Sequence, residues 1–182
     1  MEINLNRLKE NLIDLGWIGY KGDNKELPFG DKWITRLPFT EEYKKADEFV
    51  VKLMKEAGLE VKHDTVGNLF GTLSSSKTNK HIIIGSHIDT VPQGGIFDGN
   101  LGVLGALESL RVLKENGYDN NYNLTVAAFI GEEGSEIGGT LGSRCFTGDI
   151  DLNEKDVEFF KREGISQKEV KKAEIDKSKI KN

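Results

Sequence analysis

The stretch His81-Ile82-Ile83-Ile84-Gly85-Ser86-His87-Ile88-Asp89 opens on an unbroken apolar run and closes on an imidazole and a carboxylate two positions apart. A short continuous run of this kind suits a strand buried on both faces. Downstream, Asn100 to Leu113 is nearly all apolar, with Leu101, Leu104, Leu107 and Leu110 along one helical side. Leu124-Thr125-Val126-Ala127-Ala128-Phe129-Ile130 then reads as a second buried strand. Strand, helix, strand in this order predicts an α/β domain with a largely parallel central sheet.

Working outward, Leu59 to Val66 and Leu69 to Leu73 are two short β-like runs, with Gly67-Asn68 placed to turn a hairpin. Before them, Thr40 can cap a helix whose first turn holds Glu41 and Glu42, where carboxylates suit the helix dipole. Its buried face would be Tyr43, Ala46, Val50, Leu53, Met54 and Ala57, and Gly58 would stop it. Gly16 to Pro38 reads as a long loop. Leu5, Leu8, Leu12 and Leu15 recur at helical spacing ahead of it. After Gly148 the character changes, with nine Lys/Arg against eight Asp/Glu over 151–182. Ile165, Ser166, Glu169 and Val170 have the arrangement of a capping box with a hydrophobic staple, and beyond Glu174 the chain is expected to fray. The division is therefore 1–150 for the α/β part and 151–182 for a charged helical tail.

The bulk numbers exclude several classes. Hydrophobic residues are 37% and charged residues 30% of the 182, a globular balance rather than a disordered one. A formal charge of −5 gives no reason to expect a nucleic-acid or anionic-membrane partner. Cys145 is the single cysteine, so no internal disulfide can form, which agrees with a cytoplasmic setting. The N-terminal stretch has neither the apolar core of a signal peptide nor that of a membrane span.

Three clusters carry chemistry, each at or just beyond a strand end, where open α/β sheets place ligands. In Gly85-Ser86-His87-Ile88-Asp89, a neutral imidazole is a good metal ligand, and Asp89 is placed to fix its tautomer through the second ring nitrogen. In Gly94-Gly95-Ile96-Phe97-Asp98-Gly99, the glycines let the backbone turn tightly around Asp98, whose two oxygens can bridge two cations. In Gly131-Glu132-Glu133-Gly134, adjacent acids point in different directions, so one can bind metal while the other takes a proton from water. Each cluster alone has a plainer explanation: a satisfied polar pair, a turn, two solvated acids. Their conjunction favours metal. Gly138 to Ser143 is glycine-rich but matches neither a P-loop nor a dinucleotide fingerprint, and Ser86 lacks the nucleophile elbow of serine hydrolases. His63, His81 and Cys145 read as structural.

Residues 85–99, Gly-Ser-His-Ile-Asp-Thr-Val-Pro-Gln-Gly-Gly-Ile-Phe-Asp-Gly, resemble the leading metal motif of the aminoacylase and carboxypeptidase-G-like zinc metallohydrolases. The short gap from His87 to Asp98 is similar to that of the hydantoinase/carbamoylase family amidases. Thr35-Arg36-Leu37, Asp64 to Gly71, Glu132 to Ser135 and Leu141 to Gly148 are similar to that branch as well.

The resemblance implies a three-layer αβα, zinc-exopeptidase-like catalytic domain, incomplete at its C-terminus. It also implies two divalent metal ions, zinc first, with manganese, cobalt and nickel also suited by ligand type. His87 and Glu133 would each hold one ion, Asp98 would bridge them, Glu132 would be the general base, and Asp89 would support His87. The implied reaction is hydrolysis of a linear amide or ureido C–N bond in an N-carbamoyl amino acid or an allantoate-like compound. An aminoacylase or dipeptidase, or a non-catalytic remnant, are the alternatives. Family members run to about twice this length, dimerise through a lid domain, and carry further histidine ligands. No histidine follows His87 here, so the expectation is an N-terminal part of the catalytic domain, inactive alone.

Overall fold

The structure, a computed structural model, describes residues 1–23, 32–134, 136, 138–150 and 153–176. Helix α1 (Leu5–Trp17) starts at Asn4, whose side chain accepts from the Arg7 amide, and buries Leu12 and Leu15. Helix α2 (Glu41–Glu56) is capped by Thr40 as expected and buries Tyr43, Ala46, Val50, Leu53 and Met54. Gly58 ends it at φ +70°, a conformation that glycine adopts without strain.

Among the described residues four strands make the main sheet: β2 (Glu60–His63), β3 (Leu69–Leu73), β4 (His81–His87) and β6 (Asn123–Phe129), in the order β2-β3-β6-β4. β4 and β6 are parallel because helix α3 (Asn100–Glu115) carries the chain across between them. The α/β class therefore holds, but the described sheet is mixed rather than mostly parallel. β2 and β3 form a hairpin, and β3 pairs antiparallel with the far side of β6. The hairpin turn is also built differently from the expected Gly67-Asn68 corner. One oxygen of Asp64 accepts from the amides of Val66, Gly67 and Asn68, so the turn spans the five residues 64–68.

β4 departs from its reading as a doubly buried strand. It lies at the sheet edge, and Ile84 is 45% exposed. On α3 the apolar side is Val103, Leu104, Leu107 and Leu110, while Leu101 is exposed at 45%. The Gly16–Pro38 loop contains a short strand, β1 (Lys32–Ile34), paired with β5 (Gly94–Gly95); residues 24–31 lie outside the described residues.

Helices cover both faces of the sheet. Leu69, Val126 and Ala128 from one face join Met54, Val50, Leu104 and Leu15 of α1, α2 and α3 in the main core. Arg7 ties α1 to α3 through two hydrogen bonds of 2.7 Å to the buried Glu108. On the other face, Phe70 and Phe129 meet Phe146 of helix α4 (Leu141–Thr147), with ring centroids 5.3 and 5.4 Å away. α4, together with α5 (Glu154–Arg162) and α6 (Gln167–Lys172), builds a second core around Leu141, Cys145, Phe159, Phe160 and Val170. Of these three, α6 is the one whose start the sequence reading places, through its Ser166–Glu169 capping box, while α5 falls in the tail expected to be helical. The expected fraying beyond Glu174 falls mostly on 177–182, outside the described residues, while the Ile175 amide still donates to the Phe146 carbonyl.

Candidate metal centre

His87 is the last residue of β4 and only 8% exposed. Its Nδ1 lies 3.0 Å from the backbone carbonyl oxygen of Asp89. A carbonyl only accepts, so in the neutral ring Nδ1 carries the proton and Nε2 keeps its lone pair. Nε2 in turn lies 3.4 Å from Oε1 of Glu133 and 4.0 Å from Oδ1 of Asp98. One ligand atom from each of His87, Asp98 and Glu133 falls within 4.8 Å of the other two. One imidazole nitrogen and two carboxylate oxygens at that spacing suit a divalent cation of the zinc type.

Three segments deliver these side chains. Asp98 precedes Gly99, the N-cap of α3, which sits at φ +67°. A Cβ on Gly99 would stand 2.4 Å from atoms of the His87 ring and 2.5 Å from its carbonyl oxygen, so glycine alone lets the chain turn into α3 against the imidazole. Glu133 comes from the loop after β6, which crosses above β4 because the two strands are parallel neighbours. The buried Asp89 carboxylate joins the two loops, accepting from the amides of Gly131 at 3.1 Å and Glu133 at 2.9 Å. This corrects the role expected of Asp89. Its carboxylate stands 3.9 Å from His87 Nδ1, and its carbonyl, not its carboxylate, makes the hydrogen bond that orients the ring.

Glu132 stands apart from the three-residue cluster. Its oxygens accept from the Ser143 amide at 2.8 Å and the Ser143 hydroxyl at 2.7 Å, at the start of α4. The loop that carries both glutamates is pinned from below by the fully buried Asn68. That side chain accepts from the Ile130 amide and donates to the carbonyl of Gly142. Sequence reading gives Ser143 no role and Asn68 only that of a turn residue, because their partners here lie 11 or more positions away along the chain. The residues read as structural behave so. His63 pairs with Asp47 at 2.9 Å, His81 with Thr125 at 2.9 Å, and burial pushes the Cys145 thiol up to about 12.

The fold is thus an α/β sheet with helices on both faces, whose strand-end loops gather one imidazole and two carboxylates. Residues 68–171 match the sequence model of peptidase family M28, and the chain belongs to that family. It is 37% identical over 177 residues to an N-carbamoyl-L-amino acid amidohydrolase from Geobacillus stearothermophilus, covering 96% of this chain and 41% of that protein. It is 40% identical over 123 residues to a ureidoglycolate hydrolase from Arabidopsis thaliana, covering 66% of this chain and 26% of that protein. Among solved structures, a hydantoinase/carbamoylase family amidase from Burkholderia ambifaria superposes with a TM-score of 0.75 at 33% identity, covering 86% of this chain and 36% of the other. A Bacteroides vulgatus protein shares the fold, with a TM-score of 0.56 at 18% identity, 84% of this chain and 58% of the other being covered. The chain thus spans about two fifths or less of the curated relatives cited. No helix among the described residues is long and apolar enough to cross a membrane.

Proposed function

We propose that this chain carries part of the site of a metal-dependent hydrolase that cleaves a linear amide or ureido C–N bond. The substrate class is an N-carbamoyl amino acid or an allantoate-like compound. The observation that carries the proposal is the convergence of His87 Nε2, Asp98 and Glu133 within 4.8 Å, with the His87 tautomer fixed by the Asp89 carbonyl. The names of the relatives, an N-carbamoyl amino acid amidohydrolase and a ureidoglycolate hydrolase, supply the substrate class.

On this reading His87, Asp98 and Glu133 would hold divalent metal, the two carboxylate oxygens of Asp98 being enough to serve two ions. Bound metal would lower the pKa of water and polarise the scissile carbonyl. Glu132 is the proton carrier. Water attacks the carbonyl carbon, the C–O bond forms, and Glu132 takes the proton and returns it to the nitrogen as the C–N bond breaks. Ser143, donating to both oxygens of Glu132, keeps that carboxylate from swinging into the metal ligand set. Asp89 joins the loops that carry His87 and Glu133. A small-molecule substrate, a cytoplasmic setting, and dimerisation of the longer relatives complete the proposal.

The match to a peptidase family favours one second reading, cleavage of a peptide or acylamino acid by the same residues. Three donors are enough for one cation but leave two protein donors per ion in a pair, whereas catalytic zinc normally has three plus water. The chain alone is therefore expected to bind zinc modestly and to be silent towards ureido substrates. Calorimetric zinc titration, with ammonia and amino-acid release assayed on N-carbamoyl amino acids and dipeptides, tests this. Zinc binding that His87→Ala leaves unchanged overturns the metal reading. Turnover of dipeptides alone transfers the site to the second reading.

A further inference from the structure

Arg36 is a fully buried cation outside the proposed ligand set, and no carboxylate lies within ion-pair distance of it among the described residues. Its guanidinium donates instead to neutral groups on three separate segments. Nε reaches the Ile88 carbonyl at 2.6 Å, between His87 and Asp89. Nη1 reaches the carbonyls of Leu15 and Ile18 at the end of α1, both at 2.8 Å. Nη2 reaches Oδ1 of Asn100, the first residue of α3, at 2.8 Å. Its backbone is doubly tied as well. The Arg36 amide donates to the Thr90 hydroxyl, and the Thr90 amide donates to the Arg36 carbonyl.

Burying a guanidinium against neutral acceptors is unfavourable, and burial lowers its pKa to about 10 despite the charge of Asp89 nearby. A lysine would carry the same charge, but its ammonium has no rigid planar fork with which to reach three directions at once. The three acceptor segments define what the fork does. Ile88 lies inside the turn in which the His87 ring meets the Asp89 carbonyl. Asn100, also fully buried, donates to the Ile96 carbonyl, and its amide donates to the carbonyl of Asp98. One side chain therefore grips both the turn that orients His87 and the loop that presents Asp98.

We propose that Arg36 is the positioning residue of the site: it sets the distance between His87 Nε2 and Asp98 by holding the Ile88 carbonyl and Asn100 in one fork. This rests on the metal reading for its functional meaning, but its geometric content does not. The test uses two readouts on the intact chain. Long-range 1H–15N NMR of the metal-free protein reports the His87 tautomer, and cobalt(II) titration followed by visible absorption reports the assembled ligand set.

In the parent chain His87 is expected as the Nδ1–H tautomer. Arg36→Lys is expected to mix the tautomers and to weaken cobalt binding about 10–100-fold, the range for partners that orient ligands. Asn100→Ala removes the arm towards Asp98, together with the Asn100 bond to the Ile96 carbonyl in the same loop, and leaves the arm to Ile88 in place, so it is expected to weaken cobalt binding while the His87 tautomer stays as it was. A purely structural Arg36 would lower the melting temperature and move neither signal. Folded Arg36→Lys with an unchanged tautomer overturns the proposal, and if it fails to fold, Asn100→Ala with unchanged cobalt affinity overturns it instead. If the parent chain binds no cobalt through His87, the metal reading fails by itself and the tautomer measurement still decides the role of Arg36.

Discussion

The amide of Glu133 donates to Oδ2 of Asp89 at 2.9 Å, so a carboxylate after β4 holds the backbone of a proposed metal ligand after β6. The second oxygen of Asp89 accepts from Gly131 at 3.1 Å, and the residue is fully buried. Both bonds are charge-assisted, and removing the charge leaves two amides facing a weaker acceptor or a donor.

Asp89→Asn should therefore cost about 2–3 kcal/mol of stability, the range for hydrogen bonds to a charged group together with a partner left badly satisfied. Urea denaturation of the metal-free chain measures it. A change below about 0.5 kcal/mol, the usual size at an indifferent surface position, would remove Asp89 from the bracing role.

The two adjacent glutamates should separate on substitution. Glu133→Gln is expected to weaken zinc binding by at least about tenfold, since losing a ligand should cost no less than losing a ligand's partner. Glu132→Gln is expected to leave zinc affinity within about twofold, because its oxygens are engaged by Ser143 and lie outside the cluster. Equal losses in both variants would make Glu132 a ligand rather than a proton carrier.

His63 gives a pH-dependent contribution with a definite sign. Its hydrogen bond to Asp47 raises the imidazole pKa in the folded state above its ordinary value. The contribution is thus fully present below the unfolded pKa, about 6.5, and is lost as pH rises through the raised folded value. Asp47→Asn should lower the melting temperature at about pH 5.5 and have progressively less effect towards about pH 9. A difference that grows with pH would contradict the pairing.

Among the described residues β4 presents an unpaired edge with Ile84 exposed, and Leu101 is exposed on the neighbouring α3. Such an edge favours strand addition between copies. Sedimentation velocity is expected to show concentration-dependent association of the isolated chain, and Ile84→Lys should suppress it without lowering the melting temperature. A chain that stays monomeric at high concentration would show that this edge is already protected.

The sequence by itself determined the features that depend on near neighbours. Thr40 as a cap, the buried face of α2, the Ser166–Glu169 capping box, and the strand character of His81–Ile84 and Leu124–Phe129 all follow from relations within a few residues. The candidacy of His87, Asp98 and the Glu132–Glu133 pair follows as well from the glycines and strand signals around them, whereas the choice of Glu133 over Glu132 as ligand came from the family resemblance. Tertiary structure decided the rest. β4 at an edge, β3 antiparallel to β6, Asp89 reaching Glu133 rather than the His87 ring, Ser143 on Glu132, and Arg36 between three segments are contacts between distant positions. α4 does not read as a helix in the sequence, its segment being read for its glycines and its family resemblance, and α5 lies in the tail that is expected to be helical but is given no bounds there. The physical reason is that periodicity and capping record which face of an element avoids water. The acceptor a buried donor finds is set by sheet register and by how loops cross above it.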